Sequence, residues 1–138
     1  MKWIAVVNEF SLNIRSQKKI ELIPITTQIL DLINSKTIKN GWLHLFVPHT
    51  TAAITINEQA DPDVATDLES FLARISPDLS HYRHFEGNSP AHALSSLVGV
   101  SLMMTVREGQ LNLGRWQGLF FCEFDGPRNR TVLVTYQL

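Results

Sequence analysis

From residue 101 onward the chain has no helical period. SLMMTV (101–106), LNLGRWQGLFFCEF (111–124) and TVLVTYQL (131–138) are rich in β-branched and aromatic residues and read as strands. Only Arg107, Glu108 and Gly109 turn the chain between the first two. Parallel strands need a crossover of a dozen or more residues, so a link this short makes the pairing antiparallel. More than a quarter of the molecule is thereby committed to antiparallel sheet, and the rest must pack around it.

The segments before residue 101 supply the complement. KWIAVV and KKIELI, within residues 2 to 23, are extended, with a polar break at Arg15, Ser16 and Gln17. Beyond Pro24 the apolar period changes to that of a helix, with Ile25, Ile29, Leu32 and Ile33 on one stripe and Thr26 or Thr27 as its start. Asn40-Gly41 reverses the chain. WLHLFV (42–47) is apolar on both faces, as expected of a central strand or one at a subunit contact. TAAITIN (51–57) alternates, with Ala52, Ile54 and Ile56 on one face and Thr51, Ala53, Thr55 and Asn57 on the other. DPDVATDLESFLARI (61–75) has Asp61 as N-cap, Pro62 in the first helical position, and an apolar stripe of Val64, Leu68, Phe71, Leu72 and Ile75. A last helix begins at Ser89-Pro90, buries Leu94, Leu97 and Val98, and ends at Gly99. The expected fold is α+β: one domain over residues 1–138, a mainly antiparallel or mixed sheet with about three helices packed on one face.

Composition removes several function classes. A net charge of −1 carries no electrostatic footprint for nucleic acid or an anionic membrane. No apolar run approaches the roughly 20 residues that span a bilayer, and the N-terminal stretch is too polar for a secretory signal. A single cysteine, Cys122, allows no intrachain disulfide and points to a reducing cytoplasm. Its place between Phe120 and Phe124 is that of an inert core thiol.

Four polar clusters could carry chemistry. HFEGNSPAH (84–92) opens and closes on histidine and runs into a helix N-terminus at Ser89, where free N–H groups favour an anion. It is equally the sequence of a surface turn and a capped helix. HTTAAITINE (49–58) sets His49, Thr50 and Thr51 before a strand and Asn57 and Glu58 at its far end. Glu58, Asp61, Asp63 and Asp67 are carboxylates of the kind that hold Mg²⁺, or ordinary acids of a helix start. GRWQG (114–118) with CEFDGPR (122–128) puts Arg115, Gln117, Leu119, Phe121 and Glu123 on one strand face, where a buried Gln or Glu requires a partner. No phosphate loop, dinucleotide fingerprint, zincin motif or nucleophile elbow is present.

Taken together and in order, HTTAAITINE, ADPDV, HFEGNSPAH and LGRWQGLFFCEFDGPR closely resemble the YjbQ-like family, whose members are described as secondary thiamine-phosphate synthases. The motifs run from about residue 40 to the C-terminus, with a looser likeness before them. The resemblance implies a small α+β domain that assembles as a homotrimer, with the motif residues in a pocket near the subunit boundaries. It implies a reaction joining a hydroxymethylpyrimidine diphosphate to a thiazole phosphate with release of diphosphate. The residues it brings forward for catalysis are His49, Glu58, Asp67, Gln117 and Glu123. For substrate and phosphate they are Thr50, Thr51, Asn57, Asn88, Ser89, Trp116 and Arg128, with Glu86 and Asp125 among the motif residues. His49, His84 and His92 are the candidate ligands of a divalent metal, Mg²⁺ or Zn²⁺, and no organic cofactor is expected. The partners are a phosphorylated small molecule and further copies of the chain, without nucleic acid or membrane. Basic groups near the motifs are few for a binder of two phosphorylated substrates. Two alternatives therefore stand beside the synthase: another metal-dependent enzyme built on a His/carboxylate pocket, and a non-catalytic trimeric module binding a small anionic metabolite.

Overall fold

A computed structural model describes residues 8–137. The expected strand at KWIAVV lies outside the described residues. The elements are β1 (Asn8–Arg15), β2 (Glu21–Pro24), α1 (Thr26–Ser35), β3 (Gly41–Phe46), β4 (Ala52–Glu58), α2 (Pro62–Ile75), α3 (Ser89–Val98), β5 (Ser101–Arg107), β6 (Gln110–Leu111), β7 (Gln117–Glu123) and β8 (Asn129–Gln137). The α+β class and the three helices are as expected, and every strand pair is antiparallel.

There are two sheets where one was expected. Five strands run in the order β1-β8-β3-β5-β6 and three in the order β2-β7-β4. The division comes from a break in the expected strand 111–124. After Leu111 the chain leaves the first sheet, turns through Asn112–Trp116, and enters the second as β7. Local bonds make that turn: Gly114 N–H donates to the Gln117 side chain (2.8 Å), and Gln117 N–H donates to the Gly114 carbonyl (3.0 Å). At Gly118 the side chain of Gln59 lies where a Cβ would stand.

β7 is buried on both faces, so it is the partition of the molecule. Leu119 and Phe121 face the larger core, with Ile54 of β4, Ile29 and Ile33 of α1, and the inner side chains of the five-stranded sheet. Phe120 and Cys122 face a smaller core with Leu22, Ala53, Ala91, Leu94 and Phe124, to which α2 adds Ala65, Leu68 and Leu72. Each β7 side chain that reaches Leu or Phe size and leaves water contributes about 1.5–3 kcal/mol of transfer free energy.

The helix starts show which side-chain caps survive. Asp61 caps α2, its carboxylate accepting from Asp63 N–H at 2.9 Å. The apolar stripe of α2 is only half used: Leu68 and Leu72 pack on the smaller core, while Phe71 is 56% and Ile75 45% exposed. The expected cap of α3 moves by one residue, from Ser89 to Asn88, and no side chain caps it. The Asn88 amide is instead hydrogen-bonded to Asp125 (3.0 Å).

Candidate functional site

The C-terminal end of β7 carries a buried carboxylate. Glu123 is fully buried and its neighbour Arg130, on β8, is 8% exposed. A charged pair out of water is tolerated only when its hydrogen-bonding capacity is filled, and here it is. Arg130 Nη2 donates to Glu123 Oε1 (2.6 Å) and Arg130 Nε to Oε2 (2.8 Å). Oε1 also accepts from the backbone N–H groups of Phe124 (3.1 Å) and Asp125 (3.0 Å), and Oε2 from the Ser16 hydroxyl (2.9 Å). Burial pushes the Glu123 carboxyl up, but the bonds from Arg130, Asp125 N–H and Ser16 outweigh it and hold the group below the usual glutamate range.

The pair orders its surroundings. Arg130 Nη2 also donates to the Thr51 hydroxyl at 2.7 Å, fixing the loop between β3 and β4. Arg130 Nη1 makes no hydrogen bond among the described residues. Ser16 Oγ accepts from Arg128 N–H (2.7 Å) and fixes the turn after β7. Gly126 is required in that turn, because a Cβ there would run into the Lys18 carbonyl oxygen. In the turn Arg128 reaches back to the Asp125 carboxylate (2.7 Å), which also accepts from Asn88. Desolvation raises the Asp125 carboxyl, but these two bonds prevail and its pKa is lowered.

Above this floor lies an open polar pocket of about 250 Å³, lined by Thr50, Thr51, His84, Glu86, Asn88, His92, Asp125, Arg128 and Arg130. His84, from the loop before α3, and His92, from its second turn, meet edge to face with ring centroids 5.2 Å apart. HFEGNSPAH is therefore both a turn with a helix start and one wall of a pocket. Ser89 does not line that pocket.

His49 is set differently. It lines the neighbouring groove of about 710 Å³ between β3 and α3, which shares Thr50 and His92 with the polar pocket. Its Nε2 accepts the Thr131 N–H at 3.0 Å, so the proton of the neutral ring is on Nδ1. Desolvation, then the Arg130 charge, lower its pKa. The three-histidine metal set is therefore not assembled within one chain: Nε2 of His49 is occupied by the backbone, and among the described residues no three His, Cys, Asp or Glu side chains form a group that could hold a metal.

The remaining candidates stand elsewhere. Register pairs Ala52 with Glu123 at one end of the three-stranded sheet and Glu58 with Gln117 at the other. Six residues of strand put about 20 Å between them. Asn57, Glu58, Trp116 and Gln117 lie at that far end, Trp116 being 55% exposed, and Asp67 is exposed on α2. Glu123 holds the floor rather than lining the pocket. Cys122 is buried, and its thiol is pushed up to about 12, which removes it as a nucleophile.

Sequence reasoning missed Arg130 and Ser16. Arg130 had a visible signal: it shares strand parity with Val132, Val134 and Tyr136, which all face the core. A lone arginine on the inward face, together with a glutamate in need of a partner, suffices to predict the pair. Ser16 gave no such signal.

Comparisons with known proteins agree with this architecture. The family model of the UPF0047 proteins, YjbQ-like, matches residues 10–138. The UPF0047 protein MJ1081 of Methanocaldococcus jannaschii is 47% identical over 125 residues, covering 91% of this chain and 91% of that protein. The UPF0047 protein YugU of Bacillus subtilis is 45% identical over 125 residues, covering 90% and 95%. A crystal structure of a YjbQ/UPF0047 family protein from Clostridium acetobutylicum superposes with a TM-score of 0.88 at 41% identity, covering 93% of this chain and 99% of that one. A motif set in the same order, relatives at this identity and a shared fold lead to one conclusion: the chain belongs to the UPF0047, YjbQ-like family.

Proposed function

We propose that this protein is a small-molecule transferase of thiamine-phosphate synthase type, joining a hydroxymethylpyrimidine diphosphate to a thiazole phosphate. One observation carries the reading. Hydroxyl, imidazole and guanidinium donors converge on one polar pocket, and one face of the buried Arg130, at Nη1, is left without a protein acceptor. Such donors, fixed before the substrate arrives, stabilise charge that develops on a leaving group. In this reaction the thiazole nitrogen attacks the pyrimidine methylene carbon, the carbon–oxygen bond to diphosphate breaks, and its electron pair leaves on the diphosphate oxygen. Arg130, Arg128 and the hydroxyls of Thr50 and Thr51 hold that oxyanion, and His84 and His92 supply and relay the proton it takes up. Mg²⁺ would add charge neutralisation on the diphosphate.

The test is turnover of the two substrates with Mg²⁺ by purified protein. General acid catalysis contributes about 10²–10⁴-fold, so His92→Ala should lower the rate by at least about 100-fold. Product formation that does not exceed the His92→Ala control would refute the reading.

The imidazole pair supports a second reading, in which His84 and His92 bind a divalent ion whose remaining ligands come from outside the chain, for chemistry on another small molecule. Metal analysis of protein purified without chelator separates the two: about one ion per chain, lost in His84→Ala, favours the second.

A homotrimer in the cytoplasm belongs to the same proposal. Trp42, His44, Phe46, Met103 and Leu133 point away from the core on the outer face of the five-stranded sheet, and Met103 is 69% exposed. Exposed apolar side chains grouped on one face suit a subunit contact. Met103→Lys should shift the mass measured by light scattering towards the monomer.

A further inference from the structure

A second cavity lies behind the polar pocket, between the C-terminal end of α2, the start of α3 and the chain leading into β2. Its volume is about 440 Å³, within the usual range of small-molecule sites. Ile20, Ala91, Leu94 and Phe124 give it an apolar floor, and Lys19, Asp78, Glu86, Asn88 and Asp125 give it polar edges. Glu86, Asn88 and Asp125 line both cavities, so the Asn88–Asp125 hydrogen bond forms part of the wall between them.

Acceptors outnumber donors around this space. Asp125 is neutralised by Arg128. Asp78 and Glu86 make no salt bridge among the described residues, against the single ammonium of Lys19. Asn88 Oδ1 is the one buried side-chain polar atom among the described residues that has no hydrogen-bond partner. A buried carbonyl without a donor carries a desolvation cost, so the wall at Asn88 is not fully satisfied by the protein. An apolar floor with acceptor-rich, net negative edges selects flat groups that carry N–H donors and positive charge.

We propose that this cavity is a binding compartment for a planar, cationic nitrogen group of the amidinium or protonated aminoheterocycle class. The apolar floor takes the ring, and Asp78 and Glu86 supply the opposite charge.

Benzamidine and benzoate, nearly isosteric and oppositely charged, serve as probes in an NMR titration of the full chain. Benzamidine should bind saturably, with shifts centred on Ala91, Leu94 and Phe124, and at least about tenfold tighter than benzoate. Ala73→Trp places bulk at the exposed rim and should weaken benzamidine by at least about tenfold with the thermal melt unchanged. Asp78→Asn should reduce the benzamidine preference. Equal affinity for the two probes, shifts elsewhere, no saturable binding at millimolar concentration, or indifference to Ala73→Trp would each overturn the proposal. Binding of benzamidine without turnover of the thiamine precursors sinks the transferase reading alone, and turnover without benzamidine binding sinks this one alone.

Discussion

The two ends of β7 carry the same kind of residue in opposite settings. At one end Glu123 is buried, accepts five hydrogen bonds and, with its partner Arg130, holds Ser16, Thr51 and the turn at Asp125–Arg128 in place. At the other, Gln117 is exposed and its side chain bonds only within its own turn, beside an exposed Trp116. Sequence patterning treats both as polar residues on one strand face. The difference is desolvation: a polar group enclosed by the fold organises its neighbours, because leaving any of its valences empty is costly, whereas a polar group in water is free to do without them.

Four measurements would break or sharpen that contrast. The largest effect is expected at the pair: Arg130→Ala leaves Glu123 buried and unpaired and should cost about 3–5 kcal/mol in chemical denaturation, whereas a cost below about 1 kcal/mol would mean that the pair does not set the floor. Next comes Gly126→Ala, where the Cβ meets the Lys18 carbonyl; relief of that clash should cost about 1–3 kcal/mol and broaden the amide resonances of residues 123–130. A smaller, pH-dependent effect belongs to His49. Its folded pKa lies below the ordinary 6.5, so the unfolded chain binds the proton more readily and stability falls as pH drops below about 6.5. His49→Gln should flatten that acid limb, and an unchanged limb would show that His49 does not carry it. The smallest effect is at the far end: Gln117→Ala should change stability by no more than about 0.5 kcal/mol and leave the His84 and His92 resonances in place. A larger loss there would put the two ends on an equal footing.

The same contrast explains what could be read from the sequence. Elements with a strong period were visible, such as α2 with its Asp61 cap and the β5 and β8 strands. The division into two sheets was not, because it depends on a five-residue turn inside an apolar run and on Gly118 admitting the Gln59 side chain. At the site, His84, His92, Asn88 and Arg128 were legible as local motif residues, and they do share a pocket. Glu58 and Gln117 were drawn in by motif membership, but the distance between the ends of a strand is set by register, which no motif states. Arg130 was hidden among apolar neighbours, and Ser16 is joined to its partners only across the folded chain.

That last link has a consequence for how the molecule comes into being. Ser16 meets Glu123 across 107 positions and Arg128 across 112, and β1 lies against β8 along its whole length. Contacts this remote close only after the intervening chain has been ordered. On a ribosome, residues 8–15 must wait for β8 to emerge before they find their partner, and the pocket floor is completed only then. The candidate site thus doubles as a seal: the strand that closes the larger sheet is also the one that gives the binding groups their geometry.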